Sequence, residues 1–437
     1  MKKLLLVELN ELNMTVVREY LAAGLHLPGF KKLFEFDERK TKSEDEHRLL
    51  EPWIQWPSVH TGRPYAEHRL FRLGDAELGV PEQIFEKVES LGFCVGAVSP
   101  MNAVNLLKEP AYFIPDPWTR TPSDQSLLSK VITPAIRQSV NDNSSGRITV
   151  GTYLRLFFAF LVTVRMKSFK KCFWMAFSSI GKPWRKAIFL DLLLHEIHGY
   201  LFRGKDVDFS VVFFNAGAHI QHHYFFNSIS SVCLEKKNPN WYVAAAYDPL
   251  KEVILAYDGI LSDLFQSDGV ELVVATGLTQ SPVDAATFYY RLDNHEQFLS
   301  LIGVPFKSVA PRMTRDFLVE CFSEQDAADA EIKLRQVRTR SGSRIFEEIV
   351  NRGKDLFVVL THSAEITPET QISISGKWVK LLPHVVFVAI KNGEHTQEGF
   401  AYFSHQLAEF APSDGAHVSK LHDTILSWFQ ESENRNS

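Results

Sequence analysis

The chain has 437 residues, of which 45% are hydrophobic and 23% are charged, and its formal net charge is −5. This length is enough for one large domain or for two to three smaller ones, and the composition is that of an ordinary soluble globular protein. Because the net charge is slightly negative, the protein has no overall positive potential that would attract nucleic acid, and we expect no nucleic-acid partner.

Cysteine usage and the N-terminal segment both favour a cytoplasmic protein. The four cysteines are Cys94, Cys172, Cys233 and Cys321. Their spacing matches no zinc motif and they are too few for a dense disulfide framework, so reduced thiols are predicted. The N-terminal apolar run covers 4–7 and stops at Glu8, whereas a secretory core needs about 7–15 apolar residues. We therefore predict a first β-strand at this position.

Apolar and periodic segments predict strands and helices that alternate along the chain. In chain order these are a strand at 4–9, a helix that ends near Leu27 and Pro28 with a short helix after it, a charged loop at 38–48, a helix at 81–92, and strands at 93–98, 207–217, 271–277, 355–360 and 384–390. The apolar run 148–164 is interrupted by Arg155 and is too short to span a bilayer, which takes about 20 residues.

This alternation predicts an α/β fold with a central, mainly parallel sheet flanked by helices on both faces, a helical cap insertion and a small α+β subdomain. The predicted parts are an N-terminal part of the core at 1–147, a basic aromatic helical cap at 148–206, a continuation of the core at 207–282, the small subdomain at 283–350, and a C-terminal part of the core at 351–437. Sites in such sheets form at the carboxyl ends of strands, which selects the loops 8–13, 54–62, 215–223, 275–280 and 391–399.

Segment 155–186 differs from the rest of the chain because it has eight basic residues, no acidic residue and many interleaved Phe and Trp side chains. A basic, aromatic pair of amphipathic helices is typical of a surface that contacts anionic lipid. This hypothesis places the protein in the cytoplasm, peripherally on the inner face of the membrane. The alternative is a helical cap packed on the main domain, with its basic face turned to an anionic substrate.

Five motifs resemble, in the same order, those of the alkaline phosphatase superfamily, and most closely its type I phosphodiesterase/nucleotide pyrophosphatase branch. They are LLLVELNELN, QWPSVHTGRPYAEH, VVFFNAGAHIQHHYFF, NGEHTQEGFAYFSH and LHDTILSWF. The resemblance covers most of the chain. It implies the same α/β fold, a phosphate-containing small-molecule substrate, two divalent metals and a Thr or Ser nucleophile.

The positions that match the family's metal ligands and nucleophile are mostly changed in this chain. The first-strand Asp falls on Asn10, the nucleophile on Gln55 and a further Asp on Ala218, while the fourth loop has neither Asp nor His. His222 and His395 alone match family ligands. Because a primary amide is neither a nucleophile at neutral pH nor a good metal ligand, we expect at most a single divalent metal, Zn or Mn, at His222 and His395.

Two sets of candidate residues follow from these positions. The predicted catalytic residues are Glu8, Gln55, His222 and His395. The predicted substrate-binding residues are Asn10, Glu11, Ser58, His60, Arg63, His219 and Thr276. Each has a structural alternative: buried hydrogen-bonded imidazoles for the histidines, capping or salt bridges for the glutamates, and a solvated surface side chain for Arg63.

Three functions are compatible with these residues. The first is a divergent enzyme that acts on a phosphoester or diphosphate, such as a nucleotide-sugar or lipid-linked phosphate, by hydrolysis or group transfer without the two-metal/Thr mechanism. The second is an inactive pseudo-phosphodiesterase that binds a ligand or a partner. The third is an orthodox metal-dependent phosphodiesterase whose ligands lie elsewhere in the sequence. The polar character of the selected loops favours the first.

Overall fold

The computed structural model describes residues 3–141, 149–232, 236–311, 315–374 and 376–434. The described chain forms two compact units, one of Met1–Pro282 with Gly393–Ser437 and the other of Val283–Asn392. Among the described residues, no helix combines the length and the apolar character needed to cross a membrane. Cys94, Cys172 and Cys321 carry free thiols, and Cys233 lies outside the described residues.

The first unit contains the main sheet, which has eight strands within the described residues. They are β1 (Lys3–Leu9), β2 (Asp37–Lys42), β3 (Val95–Val98), β4 (Tyr112–Ile114), β5 (Phe209–Phe214), β6 (Val270–Ala275), β16 (Glu398–Phe403) and β17 (Ala416–His417). Their spatial order is β17-β2-β16-β6-β1-β5-β3-β4, and the five from β6 to β4 are parallel. The predicted α/β class, with a mainly parallel sheet between helices, is confirmed.

The α-helices of this unit precede and follow the sheet strands. They are α1 (Met14–Ala22), α2 (Pro28–Leu33), α3 (Pro52–Thr61), α4 (Tyr65–His68), α5 (Ile84–Ser90), α6 (Leu127–Asn141), α7 (Val150–Thr163), α8 (Met166–Ser178), α9 (Pro183–Gly204), α10 (Ala216–Tyr224), α11 (Ile229–Val232), α12 (Pro249–Leu264) and α15 (Lys420–Asn434). The predicted cap, 148–206, contains α7, α8 and α9.

Strand β1 shows why the sheet lies in the centre of the unit. Side chains alternate between the two faces of a strand, so Leu5 and Val7 join one apolar core while Leu4 and Leu6 join the other. Helices α1, α2, α9, α10 and α12 cover the first core, and α3, α5 and α15 cover the second. A strand buried on both faces must be apolar throughout, which explains the continuous run in the sequence.

The second unit has its own apolar core, formed by strands and two helices. Its elements are β8 (Ser308–Pro311), β9 (Asp316–Glu320), β10 (Arg338–Thr339), β11 (Ile349–Asn351), β12 (Asp355–Val359), β13 (Gln371–Ile374), β14 (Lys377–Lys380), α13 (His295–Leu301) and α14 (Glu324–Gln336), and the chain enters and leaves it through β7 (Thr279–Leu292) and β15 (Val385–Thr396). The unit therefore ends at Asn392 and not at 350. Segment 355–360 is a strand, but it pairs antiparallel with β9 and does not extend the main sheet.

Four segments predicted as loops contain regular structure. Segment 38–48 begins in β2, which is charged at every position except Thr41 and pairs antiparallel with β16. Segment 54–62 is mostly helix α3, since a proline at its first position and a left-handed Gly62 at its end are helix boundary signals. Segment 215–223 is largely helix α10, and segment 391–399 continues β15 and begins β16.

The parallel strands bring several polar residues to one edge of the sheet. Asn10 and Glu11 follow β1, Ser99 follows β3, Asn215 follows β5 and Thr276 follows β6. Glu11 and Ser99 have positive φ angles of 58° and 61°. This left-handed conformation is uncommon for residues with a side chain and is often found at functional sites. The carboxyl edge is therefore the place to look for chemistry.

Replacing Leu6 with Ala should lower the free energy of unfolding by about 2–5 kcal/mol, because it leaves a cavity in the core beside the sheet. Urea denaturation followed by circular dichroism measures this change. Leu78→Ala is the matched control, since Leu78 is 88% exposed and its truncation should change stability by less than about 0.5 kcal/mol. Equal effects of the two substitutions would contradict the central position of β1.

Candidate functional site

Glu11, His222 and His395 converge at the carboxyl edge of the sheet. The Oε2 atom of Glu11 lies 3.3 Å from Nε2 of His222 and 3.1 Å from Nε2 of His395. The two Nε2 atoms are 3.0 Å apart. Three potential ligand atoms thus face one another, and each belongs to a side chain that is buried or half-buried.

Each imidazole of this cluster has an acceptor near its other ring nitrogen. Nδ1 of His222 lies 3.3 Å from the carbonyl oxygen of Gly393, and Nδ1 of His395 lies 3.5 Å from a carboxylate oxygen of Glu51. A proton on each Nδ1 leaves the lone pair of each Nε2 pointing into the cluster, which is the usual arrangement of metal-ligating histidines. Two such lone pairs repel each other at this distance unless a metal ion or a proton lies between them.

The cluster therefore fits a divalent metal ion. Zinc–nitrogen bonds of about 2.0–2.1 Å in a tetrahedral site put ligand atoms about 3.3 Å apart, close to the observed separations. Two His and one Glu form a known ligand set of catalytic zinc, which leaves a position open for substrate or water. His222 and His395 were predicted as ligands. Glu11 was predicted to bind substrate, and the geometry adds it to the ligand set.

Amide side chains hold Glu11 in position. Gln280 donates from Nε2 to Oε2 of Glu11 and, at 3.0 Å, to the carbonyl oxygen of Ala218. Asn10 donates from Nδ2 to Oε1 of Glu11 at 3.2 Å, and Gln221 donates to the Glu11 carbonyl oxygen at 2.7 Å. Burial raises the pKa of the Glu11 carboxyl, but the two imidazoles outweigh this and hold the pKa well below its ordinary value. Glu11 is thus a carboxylate.

Gly393 is required for the approach of β15 to helix α10. A Cβ atom at this position would lie 2.5 Å from the carbonyl oxygen of Gln221 and 2.6 Å from Oε1 of Gln280. The absence of a side chain lets the Gly393 carbonyl reach His222.

Gln55 does not join this cluster. It lies one turn into helix α3, is fully buried, and donates from Nε2 to the carbonyl oxygen of Leu49 at 3.0 Å. The side chain at the start of α3 that reaches the cluster is Glu51, which is 30% exposed. The sequence analysis missed Glu51, although its position directly before Pro52 at a helix start was a usable signal.

Glu8 and His60 form a separate buried pair. Oε1 of Glu8 lies 2.7 Å from Nε2 of His60, and both side chains are at most 1% exposed. Burial raises the pKa of Glu8, and His60 opposes that increase. Trp56 stacks on the His60 ring and donates to Oδ1 of Asn10 at 2.8 Å, so it contacts both the pair and the cluster's surroundings. Glu8 was predicted to be catalytic, but it is paired with His60 and has no access to solvent.

The other predicted binding residues lie in different environments. Ser58 is buried and bonds His68, with 3.0 Å between Oγ and Nε2. Thr276 is buried and bonds the backbone of Phe400 through its hydroxyl, and its carbonyl accepts from the N–H of Glu11 at 3.0 Å. Arg63 is exposed. His219, one turn before His222 on α10, lines a large cavity, and burial lowers its pKa to about 4.

Asp191 on helix α9 was not predicted, and it fixes the start of helix α10. Its carboxylate accepts from the backbone N–H of Ala216 at 2.7 Å and from the hydroxyl of Tyr257 at 2.7 Å. Asn215, beside it, accepts from Nδ2 of Asn10 at 2.8 Å. Burial raises the Asp191 pKa to about 6. A single Asp within the apolar helix α9 gave no sequence signal that distinguished it from a surface residue.

A second group of potential metal ligands in the described residues is occupied by an arginine. His195, Glu196 and Asp263 lie close together, but the Arg165 guanidinium contacts Glu196 at 2.6 Å and Asp263 at 2.5 Å. These ion pairs tie the start of α8 to α9 and α12. Arg165 already supplies the positive charge that these carboxylates need, so we assign this group a structural role.

Comparison with solved structures gives matches over nearly the whole chain. Phosphonoacetate hydrolase from Sinorhizobium meliloti 1021 is 12% identical, with 98% of this chain and 96% of that chain covered and a TM-score of 0.43. Murine ectonucleotide pyrophosphatase/phosphodiesterase 5 is 8% identical, with 98% and 95% covered and a TM-score of 0.38. Alkaline phosphatase from the Antarctic bacterium TAB5 is 9% identical, with 98% of both chains covered and a TM-score of 0.36.

These three proteins are members of the alkaline phosphatase superfamily, the family that the sequence motifs resemble. No protein-family model matches the chain, and no curated protein sequence matches it. With identities of 12% or less and TM-scores below 0.5, these matches carry no inference about the reaction of this chain.

Asp191→Asn should alter how stability depends on pH. The folded-state pKa of about 6 lies above the ordinary value of 3.8, so between these values the folded protein holds more protons than the unfolded chain. The contribution of Asp191 to stability is therefore fully present below pH 3.8 and is lost as pH rises through 6, by at most about 1.4 kcal/mol per pH unit.

Urea unfolding of both proteins at several pH values across this window tests this expectation. The variant should show a smaller decrease in stability with rising pH than the wild type. Identical pH profiles would show that Asp191 titrates at the same pH in the folded and unfolded states.

Proposed function

We propose that this protein is a metal-assisted hydrolase or transferase that acts on a phosphoester or diphosphate bond. Structural neighbours of the phosphoester hydrolase type support a phosphoesterase-like fold. The observation that carries the proposal is the convergence of Glu11, His222 and His395 on a space of the size of a metal ion. The substrate class is a nucleotide-sugar or a lipid-linked phosphate.

The residues fit one divalent ion, Zn or Mn, and not the two ions of the family mechanism. A second ion would need several converging carboxylates, but Asn10 and Gln55 carry amides at positions that the family fills with a ligand and the nucleophile. When bound, the single ion would polarise a phosphoryl oxygen and stabilise the negative charge that develops as the bond breaks. Glu11, His222 and His395 would hold it.

Glu51 is placed to fix the orientation and tautomer of His395. It lies at the start of helix α3, is partly exposed, and its carboxylate is beside Nδ1 of the His395 ring. From this position it accepts the Nδ1 proton and keeps Nε2 turned toward Glu11 and His222, which is the role of a positioning residue. Asn10 donates to Glu11 and to Oδ1 of Asn215, and Asn215 is the amide that would donate through its own Nδ2 to the substrate's oxygens.

A binding protein without turnover is the second candidate function. The observation in its favour is that the position matched to the family's nucleophile, Gln55, is a buried amide bonded to the backbone. In this case the polar residues of the carboxyl edge would hold a phosphate-containing ligand without breaking a bond.

Purified protein should contain near-stoichiometric Zn or Mn by elemental analysis, and the double variant His222→Ala/His395→Ala should lose it, because two of three ligands are removed. The matched control is His47→Ala/His405→Ala, which removes two exposed histidines outside the cluster. The absence of metal from wild type and both variants would contradict the metal-assisted reaction and leave the binding function.

Glu51→Gln should lower metal affinity and kcat by about 10–100-fold, because the carboxylate that orients His395 through its Nδ1 proton is lost. A para-nitrophenyl phosphodiester and UDP-glucose serve as assay substrates, and Glu46→Gln, at an exposed position, is the control. A full kcat in the Glu51 variant would remove this residue from the reaction. Binding of UDP-glucose without turnover in the wild type would support the second candidate function.

A further inference from the structure

We propose that the cavity beneath helices α7, α8 and α9 holds the hydrocarbon chain of a lipid phosphate, which the protein takes from an anionic membrane surface. This inference rests on the proposed function and names the substrate class of that same site. The lipid's phosphate would lie at the Glu11 cluster, and its chain would extend away from the cluster under the cap.

The cavity has the size and the lining that a hydrocarbon chain needs. Its volume is about 740 Å³, within the range of ligand pockets. Its walls come mostly from apolar side chains of the cap, of which Leu156, Phe160, Phe173, Phe177, Leu190 and Leu194 are representative. A nucleotide or a sugar would leave polar groups unpaired against such walls, whereas an alkyl chain would not.

The inner end of the cavity meets the candidate site. Asn215 and His219 line this end, and Asn215 is hydrogen-bonded to Asn10, which in turn bonds Glu11. His219 and His222 are three residues apart on helix α10, so one helix borders both the cavity and the cluster. The carboxylate of Asp191 at this end is already bonded to Ala216 and Tyr257. Asn10 alone thus stands between the lining residue Asn215 and Glu11, and the proposal puts the phosphate at this end of the cavity and the chain in the rest of it.

The outer end of the cavity opens among exposed aromatic and aliphatic side chains. Phe157, Phe177 and Ile180 line the cavity and yet are 57%, 70% and 74% exposed. They continue into an exposed apolar surface on α7 and α8, which we call the cap surface. It consists of Val150, Leu154, Phe157, Phe158, Leu161, Met166, Phe169, Phe173, Trp174, Phe177 and Ile180. Helical spacing puts Val150, Leu154, Phe157 and Leu161 on one side of α7, and exposed apolar side chains gathered in this way mark a binding site.

The positive charge of the cap favours an anionic membrane as the partner of the cap surface. Segment 155–186 has no acidic residue. Arg165, Lys167 and Arg185 contact carboxylates of α12, and Lys171 lies against Gly259 of the same helix, whereas Lys170 and Lys186 are exposed among the apolar side chains. Exposed aromatic groups ringed by lysines are the features of a helix that lies in the interface of an anionic bilayer. The mouth of the cavity would then open directly onto lipid.

Chain-length dependence tests the cavity. Hexadecyl phosphate, kept below its critical micelle concentration, should bind the purified protein more tightly than butyl phosphate, on the order of 100-fold or more. Each additional methylene group moves apolar surface from water into the cavity. Ala176→Trp places a large side chain in the cavity wall and should remove most of this difference, while Ala245→Trp, at an exposed loop position, should not. Equal affinity of the wild type for both phosphates would overturn the proposal.

Vesicle sedimentation tests the cap surface. The full chain should bind vesicles of phosphatidylcholine with phosphatidylglycerol and not those of phosphatidylcholine alone. Lys170→Glu/Lys186→Glu should weaken this binding on the order of tenfold or more, and the control Lys354→Glu/Lys377→Glu, with the same change in net charge, should not. Equal loss in both variants, no vesicle binding, or a dimer that covers the cap surface would overturn membrane docking.

These measurements record binding without turnover, so they separate this inference from the proposed reaction. A protein that prefers the long-chain phosphate but contains no metal contradicts the reaction alone. A protein that contains metal and cleaves a soluble diester but ignores chain length contradicts the lipid proposal alone.

Discussion

The mutual approach of Glu11, His222 and His395 is the constraint on which the site depends, since three polar atoms about 3 Å apart are stable only with a cation or a proton between them. Every neighbouring feature serves this approach. The left-handed backbone of Glu11 turns its carboxylate out of the line of β1. Gly393 brings a carbonyl to His222, and Gln280 holds the carboxylate. These contacts bring together three parts of the chain, namely the residues after β1, helix α10 and strand β15.

The rest of the carboxyl edge explains why one metal, and not two, suits this chain. Amides take the places where further ligands would be needed: Asn10 accepts from Trp56 and donates to Asn215 and Glu11. Gln55 is used for packing inside α3. Glu8 is a further acid on β1, but it is paired with His60, and both side chains are shielded from water. Adding a second ion would therefore require new carboxylates, not a small movement of existing ones.

The sequence was most informative where a single local rule decides the outcome. The apolar run of β1 and the helix–strand alternation predicted the α/β sheet, and the motif order located His222 and His395. It was less informative where long-range contacts decide. Gln55 was aligned with a nucleophile, but the helix that begins at Pro52 buries its side chain and presents Glu51 instead. Glu11 and Gln280 meet across 269 positions of sequence, a contact that no local pattern records.

In the proposed function, the cap and the cluster contact different parts of the same substrate. Helix α10 carries His219 toward the cavity and His222 toward the metal ligands, so the distance from chain to phosphate is set by one rigid element. Contacts with a hydrocarbon chain do not change during phosphoryl transfer and contribute to binding and orientation. Glu11 and the two histidines would face the atoms whose charge changes, and Glu51 would hold His395 from behind. The apolar cavity therefore selects the molecule, and the small polar cluster determines the reaction.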